Sequence, residues 1–214
     1  MCGIAGMLSK TIDLRERRDL IESISQSLKM RGPDGYGDLT KPYISLIHRR
    51  LAVIDPERGA QPMTFGKYTI VYNGEIYNTD EIRQELISAG YAFDTHCDTE
   101  VILKAYHFWK EESCKKLNGI FAYAVWDDET KELFLCRDRI GVKPLYFTHK
   151  DGIFAFASRI KSLLLIPEVT SDVDENGLNE VFMLGPAKTI GSAVFKDIQE
   201  LPPAAYLKFR QGNY

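Results

Sequence analysis

The sequence predicts an α+β domain in which mainly antiparallel sheets carry helices on their outer faces. Three observations lead there. The 214 residues are 44% hydrophobic and 11% aromatic, enough to bury one substantial core or two small ones. Short β-branched or aromatic runs come in groups joined by turn-forming residues, so most neighbouring strands connect as hairpins. Helical periodicity is confined to a few segments and does not alternate one by one with strands, as a doubly wound sheet would require.

The apolar run at 4–8 opens the chain as a strand, and Gly3 and Gly6 suit close approach by another backbone. Over 16–30, Leu20, Ile21, Ile24 and Leu28 recur at helical spacing and predict an amphipathic helix that ends before Gly32 and Pro33. Brief runs at 43–47, 51–54 and 68–72 read as strands. Asn78 followed by Glu81 marks a capped helix start; Ile82, Leu86 and Ile87 form its apolar face, and Gly90 stops it. Asp98 caps the next helix, with Val101, Ile102, Ala105, Phe108 and Trp109 on the buried side. Residues 121–126, the polar stretch 127–131 and residues 133–136 predict a hairpin. Strands follow at 145–147 and 153–157. Ser158 caps a short helix to 165, Asp174 another to 184, and 205–209 closes as a strand. One domain over 1–214 fits, since no repeat or low-complexity tract divides it.

Several classes of function are disfavoured. With 27 basic and 30 acidic side chains the formal charge is -3, so no broad cationic field exists to hold nucleic acid. The longest apolar run, 120–126, is far short of the roughly 20 residues a membrane-spanning helix needs. The amino terminus has no secretory pattern, which makes the cytoplasm the expected compartment. Four cysteines without a CxxC pair indicate neither a disulfide framework nor a metal site. HExxH, GxSxG and Walker patterns are all missing.

Chemistry is suggested by four segments. Removal of Met1 would leave Cys2 as the mature amino terminus, a nucleophile carrying its own base. A free α-amine with a pKa near 7.7–8.0 can take the proton of a thiol near 8.5. The ordinary reading of Cys2 is a small apolar residue early in the chain. Asn73-Gly74 after a strand reads first as a tight turn, but an Asn amide beside a Gly N–H also supplies two oxyanion donors. Arg49-Arg50 is either a solvated charge cluster or a bidentate grip on a carboxylate. Asp98 is explained by capping, yet a carboxylate there could hold an ammonium group. Residues 31–35, Arg-Gly-Pro-Asp-Gly, have the composition of a turn.

Seven motifs in one order resemble the glutamine-hydrolysing N-terminal domain of asparagine synthetases, a branch of the class II glutamine amidotransferases. They are Met-Cys-Gly-Ile at 1–4, Arg-Gly-Pro-Asp at 31–34, Arg-Arg-Leu-Ala-Val-Ile-Asp at 49–55, and Gly-Ala-Gln-Pro-Met at 59–63. Tyr-Asn-Gly-Glu-Ile-Tyr-Asn at 72–78, Asp-Thr-Glu-Val-Ile-Leu at 98–103 and Arg-Asp-Arg-Ile-Gly-Val-Lys-Pro-Leu-Tyr at 137–146 complete the set. The resemblance implies an N-terminal-nucleophile hydrolase fold, a four-layer αββα sandwich of two mainly antiparallel sheets. It implies that Cys2 attacks the side-chain amide of L-glutamine while Asn73 and the Gly74 N–H stabilise the oxyanion. Arg50, followed directly by leucine, takes the α-carboxylate; Glu75 and Asp98 take the α-ammonium group; Leu51 and Val53 line the pocket. No cofactor or metal is implied within these residues. ATP and Mg belong to the ATP-dependent C-terminal synthetase domain, which is absent from the chain and would be its partner. A homodimer remains among the assemblies open to it. Two rivals stay open: another cysteine-dependent amidase of the same superfamily, and a catalytically silent module that senses glutamine.

Overall fold

A computed structural model describes residues 1–52, 58–184 and 189–210. Its elements are, in order, β1 (Gly3–Ser9), α1 (Arg18–Ser27, entered through a 3-10 turn at Leu14–Arg17), β2 (Gly35–Thr40), β3 (Ile44–Arg50), β4 (Met63–Phe65) and β5 (Tyr68–Ile76). Then come α2 (Thr79–Ser88), α3 (Asp98–Trp109), α4 (Ser113–Lys116), β6 (Gly119–Asp127), β7 (Glu132–Arg137), β8 (Tyr146–Lys150) and β9 (Ile153–Ala157). The chain continues through α5 (Ile160–Leu163), α6 (Glu175–Leu184), β10 (Gln199–Glu200) and β11 (Tyr206–Arg210).

Among the described residues the strands form two antiparallel sheets. One runs β10-β8-β9-β1-β3-β2 and the other β11-β7-β6-β5-β4. Strand alternation explains the layering, because successive side chains point to opposite faces. In β1, Ile4 and Leu8 enter a core shared with Val71, Ala122, Ala124, Trp126 and Phe156, which lies between the sheets. Ala5 and Met7 on its other face pack with Ile21, Ile24 and Leu28 of the α1 region and with Leu163 of α5. In β6, Phe121, Tyr123 and Val125 turn away from that central core to meet Ile82 and Leu86 of α2 and Val101, Ile102 and Ala105 of α3. Three buried clusters thus separate four layers, helix, sheet, sheet and helix, as expected. Gly6 makes room within its own sheet: a Cβ there would lie 2.4 Å from the ring of Phe156, its cross-strand neighbour on β9.

The expected hairpin is β6–β7, and the strands at 4–8, 153–157 and 205–209 are β1, β9 and β11 within a residue or so. Other expectations shift. Leu51 and Ala52 belong to no strand, and the rest of the strand expected at 51–54 lies outside the described residues. Asn73-Gly74 is not a turn; β5 runs straight through it, pairing Asn73 with Ala122 and Gly74 with Phe121. Ile87 and Phe108, expected on buried helix faces, are about half exposed. Ser158 does not cap α5, whose N-cap is Arg159; its hydroxyl instead accepts from the Ile4 N–H at 3.1 Å. Strand β2, read as loop and unassigned sequence, forms by pairing along β3 from Gly35↔Arg50 to Thr40↔Ser45.

Candidate active site

One end of the sandwich opens into a pocket with a cavity of about 200 Å³. It draws residues from both sheets. On β3, Ile47 packs toward α1, and Arg49 follows it on the same face. The Arg49 guanidinium is spent there: its Nε donates to the Ser25 hydroxyl at 2.7 Å and carbonyl at 3.2 Å, and it lies 4.7 Å over the Tyr36 ring. Arg50 points the other way and lines the pocket. His48, on the pocket-side face of the strand, is buried and hydrogen-bonds the Tyr72 backbone, tying the two sheets together behind the site. Burial holds its pKa down at about 4, so the imidazole is neutral.

Cys2 sits immediately before β1. Its Sγ contacts Leu51 twice, lying 3.6 Å from the carbonyl oxygen and accepting from the N–H at 3.4 Å. Arg31 fixes the same residue from behind, its Nε donating to the Cys2 carbonyl at 3.0 Å. Burial pushes the thiol pKa up, against the lowering influence of the Leu51 backbone, the amino terminus and Arg50. Met1 also lines the pocket and acylates the Cys2 nitrogen, and its Sδ lies 3.3 Å from the Lys143 ammonium.

Strand β5 supplies the opposite wall. Val71 faces the inter-sheet core, and Asn73 follows it on that face at the open end. The Asn73 side chain is 1% exposed, and its Nδ2 has no hydrogen-bond partner. A buried amide donor without a partner is costly. The edge of β5 that faces away from β6 presents N–H groups at alternate residues. Tyr72 N–H donates to Gln61 Oε1 at 2.6 Å and Ile76 N–H lies 3.4 Å from Asp98 Oδ2, so the Gly74 N–H between them points to the same edge. A Cβ at residue 74 would come within 2.4 Å of the Ile120 carbonyl oxygen; glycine is demanded there by the β5–β6 pairing itself.

Asp98 enters from the start of α3. Its expected role as helix cap is taken by Cys97, and the carboxylate turns into the pocket wall to accept from the Tyr72 hydroxyl at 2.6 Å. Burial raises its pKa above the usual carboxylate range, against the opposing hydrogen bonds of Tyr72 and of backbone N–H groups. Glu75 is exposed at the rim. The structure therefore brings Cys2, Arg50, Leu51, Asn73, Gly74, Glu75 and Asp98 to one pocket; Val53 lies outside the described residues.

Sequence reasoning gave no individual role to the residues that hold this arrangement. Gln61 bridges Tyr72 and the Thr99 hydroxyl, which it reaches at 3.1 Å. Glu100 ties the approach to α3 by accepting from the Asp94 and Thr95 N–H groups at 3.0 and 2.8 Å. Asp34, in the segment read as a turn, accepts from the Ala52 N–H at 2.9 Å and so anchors the chain just beyond Leu51. Asp138 is fully buried and accepts from the N–H groups of Ile140, Val142 and Lys143, while Arg137 donates to the carbonyls of Lys143, Leu201 and Gly141. Together they set Lys143 into the pocket, where burial and the nearby Arg31 lower its pKa. Side chain to backbone bonds of this kind have no periodic signature; only the motif at 137–146 marked the segment at all.

Two stacked antiparallel sheets between helical layers, with a cysteine at the head of a central strand, are the architecture of the N-terminal-nucleophile hydrolases. The solved structures most alike in shape include one titled the allosteric regulatory enzyme of purine biosynthesis and the glutamine phosphoribosylpyrophosphate amidotransferase from B. subtilis. Their TM-scores are 0.71 and 0.66 at 16% and 17% identity; each comparison covers 99% of this chain and about half of the other, and at that identity bears on fold alone. The chain belongs to the glutamine amidotransferase domain family, which it matches over residues 1–214, and it is an enzyme of that class. Among curated relatives, the glutamine-hydrolysing asparagine synthetase 3 of Bacillus subtilis (strain 168) is 43% identical over 98% of this chain and 35% of its own length. Asparagine synthetase 1 of the same organism is 38% identical over 84% of this chain and 29% of its own. The chain thus spans about a third of the length of these relatives. Family membership favours neither rival, the other cysteine-dependent amidase of the same superfamily nor the silent glutamine-sensing module. Among the described residues no cluster could hold a metal ion, and no helix is long and apolar enough to cross a membrane.

Proposed function

We propose that this chain is the glutaminase part of a glutamine-dependent asparagine synthetase, hydrolysing L-glutamine through a Cys2 thioester and passing ammonia to an ATP- and Mg-dependent synthetase domain that amidates aspartate. The observation that carries the reading is the buried Asn73 amide with no partner, in the same pocket as the Cys2 thiol.

Once Met1 is removed, the Cys2 amine takes the proton of its own thiol, and the sulfur attacks the side-chain carbonyl carbon of glutamine. The carbonyl oxygen becomes an oxyanion that accepts from Asn73 Nδ2 and the Gly74 N–H. Collapse breaks the C–N bond as the ammonium group returns its proton to the departing nitrogen, releasing ammonia and leaving a thioester. Water, deprotonated by the same amine, then hydrolyses the thioester to glutamate and regenerates the thiol. Arg50, which lines the same pocket as Asp98 and Glu75, would with them match the carboxylate and ammonium of a free amino acid, which a peptide-bound glutamine does not present. The domain itself needs no cofactor for this chemistry.

Glutamate release by the processed protein and by Cys2→Ala tests the reading. Loss of release in the variant is expected; equal rates would reject Cys2 as the nucleophile.

A further inference from the structure

Outside the glutamine pocket, on the outer face of the second sheet, two of the four cysteines meet. Cys114 on α4 and Cys136 on β7 are 22 residues apart in sequence, yet their Sγ atoms lie 3.0 Å apart. That is a polar contact, with one thiol donating to the other, and both cysteines are free. The Tyr123 hydroxyl, from the neighbouring strand β6, completes the cluster 3.3 Å from the Cys114 sulfur. Cys136 is buried among Tyr106, Leu117, Tyr123 and Phe134, whereas Cys114 is only partly covered.

From this geometry we infer that Cys114 and Cys136 form an oxidation site, a dithiol that a hydroperoxide converts to an intramolecular disulfide linking α4 to β7. Chemistry and topology support an order of events. The hydrogen bond from Cys136 lowers the Cys114 pKa, while burial raises that of Cys136, so thiolate forms more readily on Cys114. The Cys114 thiolate attacks a peroxide oxygen, the O–O bond breaks, and the products are a Cys114 sulfenic acid and water or an alcohol. Cys136 sulfur then attacks the Cys114 sulfur, the S–O bond breaks, and the hydroxyl leaves as a second water with the Cys136 proton. Two electrons pass from the two sulfurs to the peroxide. Cys97, by contrast, is buried and 2.9 Å from the Thr95 hydroxyl, and Cys2 is committed to the pocket, so neither offers a second thiol at contact distance.

The site does not depend on the glutaminase reading, because neither sulfur lines the glutamine pocket. It does adjoin the pocket's support: Cys136 is followed directly by Arg137 and Asp138, which set the Lys143 loop. The full chain, in wild-type form and as Cys2→Ala, is treated with hydrogen peroxide, its remaining thiols are alkylated, and its peptides are mapped without reduction. The expected result is a cross-linked pair of peptides holding Cys114 and Cys136 in both proteins, with Cys97 alkylated as before and the cross-link removed by a dithiol reductant. In Cys136→Ser, Cys114 should instead be captured as a sulfenic acid by dimedone. Alkylated Cys114 and Cys136 after oxidation, or a cross-link involving Cys97, would overturn the inference. Because the wild-type map alone decides this, a variant that failed to fold would not rescue it.

Discussion

Replacing Asn73 by leucine separates catalysis from stability by sign. The Asn73 side chain is 1% exposed and its Nδ2 has no partner, so the free protein carries a buried, unpaired donor. Such a group costs about 1–3 kcal/mol, and a near-isosteric apolar side chain removes that penalty without opening a cavity. After a discount for imperfect packing, a gain of about 1 kcal/mol is expected, or a rise in Tm of roughly 2–4 °C for a domain of this size. The same substitution deletes one of two donors to the oxyanion. Loss of one such donor typically lowers kcat by about 10²–10³, or ~3–4 kcal/mol. Steady-state glutaminase kinetics and thermal melting on the same preparations provide both readouts. KM for glutamine should change little, because the donor acts on charge that develops only in the transition state. A variant that lost kcat and also several kcal/mol of stability would instead show Asn73 holding the β5 wall together, and not serving as a spare donor.

Three further outcomes follow from the same geometry. Arg50→Ala should raise KM for free glutamine by about two orders of magnitude, from loss of a charged pair worth ~3 kcal/mol, while Arg49→Ala, which breaks contacts to Ser25 on α1, should lower Tm with KM nearly unchanged. Tyr72→Phe removes a hydrogen bond that stabilises the Asp98 carboxylate, whose pKa burial already raises; the acid limb of kcat/KM should therefore move to higher pH, as measured across a pH profile. His48 has a folded pKa of about 4 against 6.5 when unfolded, so its contribution is fully present above pH 6.5 and falls as pH drops toward 4; urea titrations should show wild type losing about 2 kcal/mol between pH 7 and 5 relative to His48→Gln.

The parts of the fold that were legible in the sequence are those buried on two sides. Strand β6 puts Phe121, Tyr123 and Val125 into one core and Ala122, Ala124 and Trp126 into another, which is why it forms the longest apolar run in the chain. Strand β2 was not legible because Gly-Tyr-Gly-Asp-Leu-Thr at the sheet edge is mostly half-exposed, and its conformation comes from pairing with β3. Local rules also misplaced three site residues, Asn73, Gly74 and Asp98, for physical reasons. Asn-Gly has turn chemistry, yet β6 captures both residues in register; Asp98 has cap chemistry, yet the Tyr72 hydroxyl draws its carboxylate aside. That Arg50 and not Arg49 faces the pocket follows from strand alternation, but only once the register of β3 against β1 and α1 is known. Meeting of the site's four segments is a tertiary fact, and the sequence carried it only through resemblance.

To act as base, the nitrogen of Cys2 must be a free amine. Glutamate release should be measured on two preparations resolved by mass spectrometry, one beginning at Cys2 and one still bearing Met1. Turnover confined to the chain that begins at Cys2 is the predicted result; comparable turnover by the chain that keeps Met1 would contradict it.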